Sequence, residues 1–281
     1  MSSFVIPDNY SCPLDIKETE VAIKLVKDYF ERELAKNLNL TRVSAPLFVR
    51  PESGLNDNLN GIERPVSFGI KEQNDKEVEI VHSLAKWKRF ALKRYNFPHG
   101  EGLYTDMNAI RRDEDTDNIH SIFVDQWDWE KIIDKSERNT DTLKNVVKKV
   151  YAALKSTEEY MSKQYDYIKK ILPDEITFIT TQELEDMYPD CTTKERENKI
   201  ARLKGAVFIM QIGDKLASGQ RHDGRAPDYD DWALNGDIVV YYPVLDIAFE
   251  LSSMGIRVDE VSLMEQLKKA GCEERAKLPF Q

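Results

Sequence analysis

Leu103-Tyr104-Thr105-Asp106-Met107-Asn108-Ala109-Ile110 and Ile122-Phe123-Val124-Asp125-Gln126-Trp127-Asp128-Trp129 both read as strands, with the charged segment Arg111 to Asp117 between them. Two neighbouring strands joined by a polar loop predict an antiparallel hairpin. Upstream, Val66, Phe68 and Ile70 alternate, and Val78, Ile80 and His82 repeat the pattern after the polar turn Gln73 to Lys76. Thr41 to Ala45 reads as a short strand closed by Pro46, and Gly54 to Gly61 as a loop by composition. Downstream, Ala206 to Gln211, Ile238 to Tyr242 and Ile247 to Met254 read as strands.

Helices fall between these pairs. Asp15 to Leu38 carries Val21, Ile23, Val26, Tyr29 and Leu34 at roughly helical spacing. Ala85 to Tyr95 is a second helix. Thr140 to Leu172 is a third, long enough that a bend or break is expected within it. Thr180-Thr181-Gln182-Glu183 and Thr192-Thr193-Lys194-Glu195 each match a helix-opening capping box. Val261 to Ala270 is a helix ended by Gly271. Paired strands with helices between the pairs predict an α+β fold with a mainly antiparallel sheet. The chain has no glycine-rich dinucleotide fingerprint and no P-loop, so a nucleotide would need another fold.

The 281 residues allow one large domain or two small ones. With 40 basic and 50 acidic residues the net charge is −10, a field that repels nucleic-acid phosphates. The densest basic stretch, Lys86, Lys88, Arg89, Lys93 and Arg94, is short, which argues against a dedicated nucleic-acid binder and leaves a local phosphate site open. No apolar run approaches the roughly 20 residues that span a bilayer, and Met1 to Tyr10 has no signal pattern, so a cytoplasmic protein is expected. Cys12, Cys191 and Cys272 are far apart and form no CxxC pair; three reduced thiols are expected.

Three polar clusters could carry chemistry. In Val81-His82-Ser83-Leu84-Ala85-Lys86-Trp87-Lys88-Arg89, Lys86 falls at a helix start, where backbone amides also favour an anion; the alternative is a solvated basic face. In Val124-Asp125-Gln126-Trp127-Asp128-Trp129, strand alternation puts Gln126 and Asp128 on one face, and Arg111 ends the preceding strand. Such a set could bind a phosphate and an amino group together, or be an exposed hairpin with salt bridges. The third cluster, Arg221 to Trp232, crowds Asp223, Asp228, Asp230 and Asp231. Carboxylates that close repel unless a cation such as Mg²⁺ or an amine sits among them; the alternative is a solvated turn. Further on, Glu250, Ser252, Ser253 and Arg257 end a strand. The four histidines show no metal-ligand spacing; His82 reads as packed, and His99, His120 and His222 as surface or supporting residues.

These clusters, in this order, resemble the ammonia-dependent asparagine synthetases, the aspartate–ammonia ligase family. The resembling segments are Asp57-Asn58-Leu59, Val81 to Arg89, Gly100 to Thr105, Arg111 to Asp115, Val124 to Glu130, Arg225 to Trp232, Leu234 to Asp237 and Phe249 to Val258, covering the chain from about residue 15 onward. That family is similar to the catalytic domain of class II aspartyl- and asparaginyl-tRNA synthetases. The resemblance implies an antiparallel sheet flanked by helices, a homodimer, and a reaction in which ATP adenylates the side-chain carboxylate of aspartate before ammonia displaces AMP. It also implies roles: Arg111 on the α-phosphate, Lys86 on a substrate carboxylate, and Gln126, Asp128 and Asp230 around the aspartate amino group. Glu250 and Ser253 would meet Mg²⁺ and ATP, Arg257 a carboxylate or phosphate, and Asp57 ammonia or the substrate amine.

The family continues past the equivalent of Gln281 with a glycine-rich strand and a helix bearing an adenine-stacking arginine. The expectation is therefore a single catalytic domain over residues 1–281 without that segment, and with a shorter linker between Trp232 and Leu234. Three other readings stay open: a non-catalytic paralogue binding aspartate or AMP, an asparaginyl-tRNA synthetase relative, and a bare metal site on the aspartates. The second would need a tRNA-binding domain, for which there is no room before residue 15.

Overall fold

The first helix is set by its cap. The Asp15 carboxylate accepts from the Glu18 amide at 2.8 Å and the Glu18 side chain accepts from the Asp15 amide at 3.0 Å, closing a capping box. In the computed structural model, which describes residues 4–8, 10–57 and 63–277, this helix α1 runs Ile16–Leu38 and stops at Asn39, whose φ of 59° is left-handed. Strand β1 (Leu40–Arg42) follows, shorter than the expected Thr41 to Ala45. Strands β2 (Phe48–Val49), β3 (Ser67–Ile70) and β4 (Lys76–Ile80) form a small antiparallel sheet in the order β2-β4-β3. Helix α2 spans Ala85–Arg94.

The predicted hairpin is present. Strand β5 (Gly102–Ile110) pairs antiparallel with β6 (Phe123–Lys131), in continuous register from Gly102 opposite Lys131 to Ile110 opposite Phe123. β1 adds to the other edge of β5 in parallel. Helix α3 covers Thr140–Gln164 and ends at Tyr165, so the expected break is a stop, and 165–172 is not helical.

Strand β7 (Thr177–Thr180), helices α4 (Thr181–Met187) and α5 (Thr193–Lys204), strands β8 (Ala206–Met210), β9 (Asp230–Tyr242) and β10 (Ile247–Arg257), and helix α6 (Glu260–Ala270) complete the described chain. Both predicted capping boxes form, on Thr180 and Thr192. The second large sheet has the order β10-β9-β8-β7, antiparallel except for the parallel β7–β8 pair. The fold is thus α+β with mainly antiparallel pairing. Strand β9 begins at Asp230, eight residues ahead of the predicted Ile238. Asp230 and Asp231 are therefore buried strand residues and not a solvated turn.

Helices α1 and α3 pack together and back both large sheets. Phe30, Leu34, Leu143, Val147 and Val150 join Phe208 and Ile238 in one core. Each such side chain taken from water contributes roughly 1.5–3 kcal/mol. Helix α2 lays Trp87, Ala91 and Leu92 on Leu103, Met107 and Ala109 of β5. On the far face of the four-stranded sheet, Ile200 and Ala201 of α5 meet Val207, Ile209 and Val239. Among the described residues no helix is long and apolar enough to cross a membrane. Asn58 to Gly61 of the predicted loop, and Leu278 to Gln281, lie outside the described residues.

Candidate active site

A cleft of about 1590 Å³ lies between the hairpin and the four-stranded sheet. Arg111, Gln126, Asp128, Asp230, Glu250, Ser253 and Arg257 all line it, so the topology brings together residues from β5–β6, β9 and β10 that are up to 146 positions apart. Lys86 and Asp57 do not reach its wall.

Asp57 is fully buried, and both its oxygens are engaged at the start of α2. The Ala85 amide donates to one at 2.6 Å and the Lys86 amide to the other at 3.4 Å. A carboxylate there offsets the helix dipole and satisfies orphan amides. Its observed work is to hold α2. Lys86 is 3% exposed, which excludes the solvated-face reading. Its ammonium lies 5.8 Å from the centre of the Tyr229 ring, and Tyr229 does line the cleft. Burial pulls the Lys86 pKa below the usual lysine value, against the pull of Asp57 and Asp228. Asp228 is itself buried and receives two bonds from Arg275, at 2.8 and 3.0 Å.

The wall of the cleft carries a denser ionic network than the sequence reading found. Arg257 Nε and Nη2 donate to the two oxygens of Glu130 at 2.8 and 2.6 Å, and Nη1 donates to Asp230 Oδ1 at 2.8 Å. Lys88, 2% exposed, donates to Asp128 and to the Trp129 carbonyl (3.0 Å), and lies 3.6 Å from Glu130. Burial alone would raise the Glu130 pKa; Arg257 foremost, and then Lys88, hold it at about 2. Lys88 and Arg257 against Asp128, Glu130 and Asp230 leave these five groups at −1, with the Arg89 guanidinium also drawing on Glu130 from the cleft wall. Asp128 Oδ2 is buried without a partner among the described residues, as is Arg111 Nε. One is an acceptor awaiting a donor and the other a donor awaiting an acceptor.

Lys88 and Glu130 line the cleft, and the sequence reading did not single them out. Glu130 was readable, because 126, 128 and 130 share one face of an alternating strand. Lys88 lies two residues after Lys86, and only the seating of α2 decides which of the two reaches the cleft.

On β10 Glu250 stays exposed as a residue, yet the protein packed around its carboxyl and the charge of Asp237 push its pKa up to about 7. Asp237, also missed, is raised by burial, against the pull of Arg225. It pairs across the strands with Ser253, and Arg225 bonds both. Carboxylates and a hydroxyl are hard oxygen donors of the kind Mg²⁺ takes. His82 is buried as predicted; His99 and His120 have half-exposed side chains. His222, read as a surface or supporting residue, is buried against Glu197 at 3.1 Å.

The family model for aspartate–ammonia ligase matches residues 17–281. The chain belongs to the aspartate–ammonia ligase family. The aspartate–ammonia ligase of Ruminiclostridium cellulolyticum is 69% identical over 280 residues, which are 100% of this chain and 83% of that protein. The enzyme of that name from Clostridium perfringens is 68% identical over the same shares. Among solved structures, Pyrococcus horikoshii asparaginyl-tRNA synthetase complexed with asparaginyl-adenylate superposes with a TM-score of 0.60 at 15% identity, over 96% of this chain and 64% of that one. The class II synthetase-like fold is thus that of the ligase family and of the tRNA synthetases alike. The chain is an enzyme of the aspartate–ammonia ligase type, and the resemblance read from its motifs is correct.

Proposed function

We propose that this chain makes L-asparagine from L-aspartate and ammonia through a β-aspartyl-adenylate, with ATP as the activating substrate. The observation that carries the reading is the pair of unmet groups in one cleft, the Arg111 donor and the Asp128 acceptor. A cleft that wants both an anion and a cation suits a nucleotide phosphate beside an amino acid.

The −1 cluster of Lys88, Asp128, Glu130, Asp230 and Arg257 becomes neutral when the aspartate ammonium enters. Asp128 and Asp230 face that ammonium, and Gln126 adds a neutral partner. Arg257, fixed by Glu130, is the proposed partner of a substrate carboxylate, and Lys86, behind the Tyr229 ring, adds positive charge from outside the wall. A side-chain carboxylate oxygen attacks the α-phosphorus and pyrophosphate leaves; Arg111 offsets the charge that grows there. Ammonia then attacks the acyl carbon. The C–O bond breaks with its electrons going to AMP, and the new C–N bond sheds a proton. Glu250, Ser253 and Asp237 are the residues that would hold Mg²⁺, which supplies charge neutralisation on the polyphosphate.

Asp57 is better read as positioning α2 than as touching ammonia. The three free cysteines suit a cytoplasmic protein. Exposed Leu47, Phe48 and Phe68 give the small sheet an apolar face for a second copy, in keeping with a homodimer.

The test is pyrophosphate release with ATP, Mg²⁺ and aspartate, with and without ammonium, and asparagine measured alongside. Release coupled to asparagine is expected. Binding of aspartate or AMP with no release would favour a non-catalytic paralogue, and tRNA binding at moderate salt would favour a synthetase.

A further inference from the structure

Arg225 stands ahead of β9 with its guanidinium between two strands. Nη1 donates to Ser253 Oγ and Nη2 to Asp237 Oδ1, at 2.5 Å for the latter. These partners sit directly opposite each other, Ser253 on β10 and Asp237 on β9. The Arg225–Asp237 pair is well shielded, at 17% and 12% side-chain exposure, while Ser253 stays exposed. Arg225 Nε is buried with no partner among the described residues. A buried arginine with a donor unmet is held less firmly than its Arg257 neighbour, whose Nε is bonded. Yet the acids around it, Asp237, Asp230 and Glu250, need a cation. A hydroxyl and a carboxylate bridged by a guanidinium are also two of the oxygen donors that a divalent ion would use.

We infer that Arg225 is a placeholder: in the metal-free protein its guanidinium occupies the cation position between Ser253 and Asp237, and a divalent ion must displace it to bind there. The inference rests on the reading of Glu250, Ser253 and Asp237 as metal contacts. Its consequence is a linkage. The free energy holding Arg225 in place is subtracted from the metal's affinity, so apparent binding falls by the fraction of molecules whose site is vacated.

The test is direct Mn²⁺ binding, followed by the resonance of free Mn²⁺, to the nucleotide-free wild type and to Arg225→Gln and Arg225→Lys, with circular dichroism confirming that each is folded. Both variants should bind Mn²⁺ more tightly, the glutamine variant at least tenfold. Lysine keeps the charge and cannot span the two oxygens as a guanidinium does. Equal affinity in all three proteins overturns the inference. So does a gain with glutamine and none with lysine, which would be repulsion at a distance and not displacement. Should the glutamine variant not fold, the lysine variant decides alone. If none of the three binds Mn²⁺, the metal reading itself falls and takes the inference with it.

Discussion

Replacing Glu130 by Gln removes one charge from the cleft wall and keeps the side chain's shape. Glu130 sits at about 2 where a free glutamate sits at 4.5, chiefly because Arg257 and Lys88 outweigh its burial. At about 1.4 kcal/mol per pH unit that difference is worth about 3 kcal/mol of folding free energy. The folded value lies below the unfolded one, so the stabilisation is full above 4.5 and is lost as pH falls through about 2. Glu130→Gln should therefore lower the unfolding free energy by about 3 kcal/mol at pH 7, measured by urea denaturation, and by only about 1 kcal/mol at pH 3. The substitution also takes the cluster from −1 to neutral. Aspartate should bind at least tenfold more weakly, while succinate, which lacks the amino group, should lose less, through the loosened Arg257 alone. A stability loss under about 1 kcal/mol at pH 7, or one that does not change with pH, would refute the argument.

Arg111→Ala should cut aspartate-dependent pyrophosphate exchange by about 10²–10³-fold and leave the melting temperature almost unchanged; an undiminished rate would remove Arg111 from the phosphate. Asp57→Ala should cost about 1–2 kcal/mol by uncapping α2, with Asp57→Asn recovering most of it in the same denaturation assay. A large rate loss in a protein of wild-type stability would instead give Asp57 a part in the chemistry. Gly255→Ala would place a Cβ 2.8 Å from Asp230 Cγ and from Asn235 Cβ, so Asp230 must swing away from Arg257. Calorimetry should show aspartate affinity falling more than tenfold, and unaltered affinity would mean that Asp230 does not contact the substrate.

The hairpin and the helices were legible because their signals are local: alternation in 103–110 and 122–129, and capping boxes at Thr180 and Thr192. Strand β9 was cut short because Asp230 and Asp231 look like turn residues. Their burial depends on Arg257 and Arg138, which reach them from 27 and 93 positions away. The stop of α3 at Tyr165 carries no glycine or proline to announce it. For the site, the motif residues were found, but a motif does not say which side chains share a wall. Lys86 and Asp57 sit behind the cleft because α2 is seated on Asp57, while Lys88, two residues on and so about 200° round the helix, points in. Asp237 escaped notice because its partner Ser253 is adjacent only through the β9–β10 register.

The seam between the hairpin and the four-stranded sheet has one consequence for how the molecule is made. Glu130 and Arg257 are 127 residues apart, and Asp228 waits for Arg275, 47 residues later. On a ribosome, the hairpin emerges with Lys88 already made but with the arginine that grips Glu130 not yet synthesised. Closing so long a loop is slow, and the reward arrives only when both sheets have docked. The substrate pocket is therefore among the last features to be completed. An incompletely folded chain presents neither the −1 cluster nor its unmet acceptor, so affinity for aspartate reports that folding has finished.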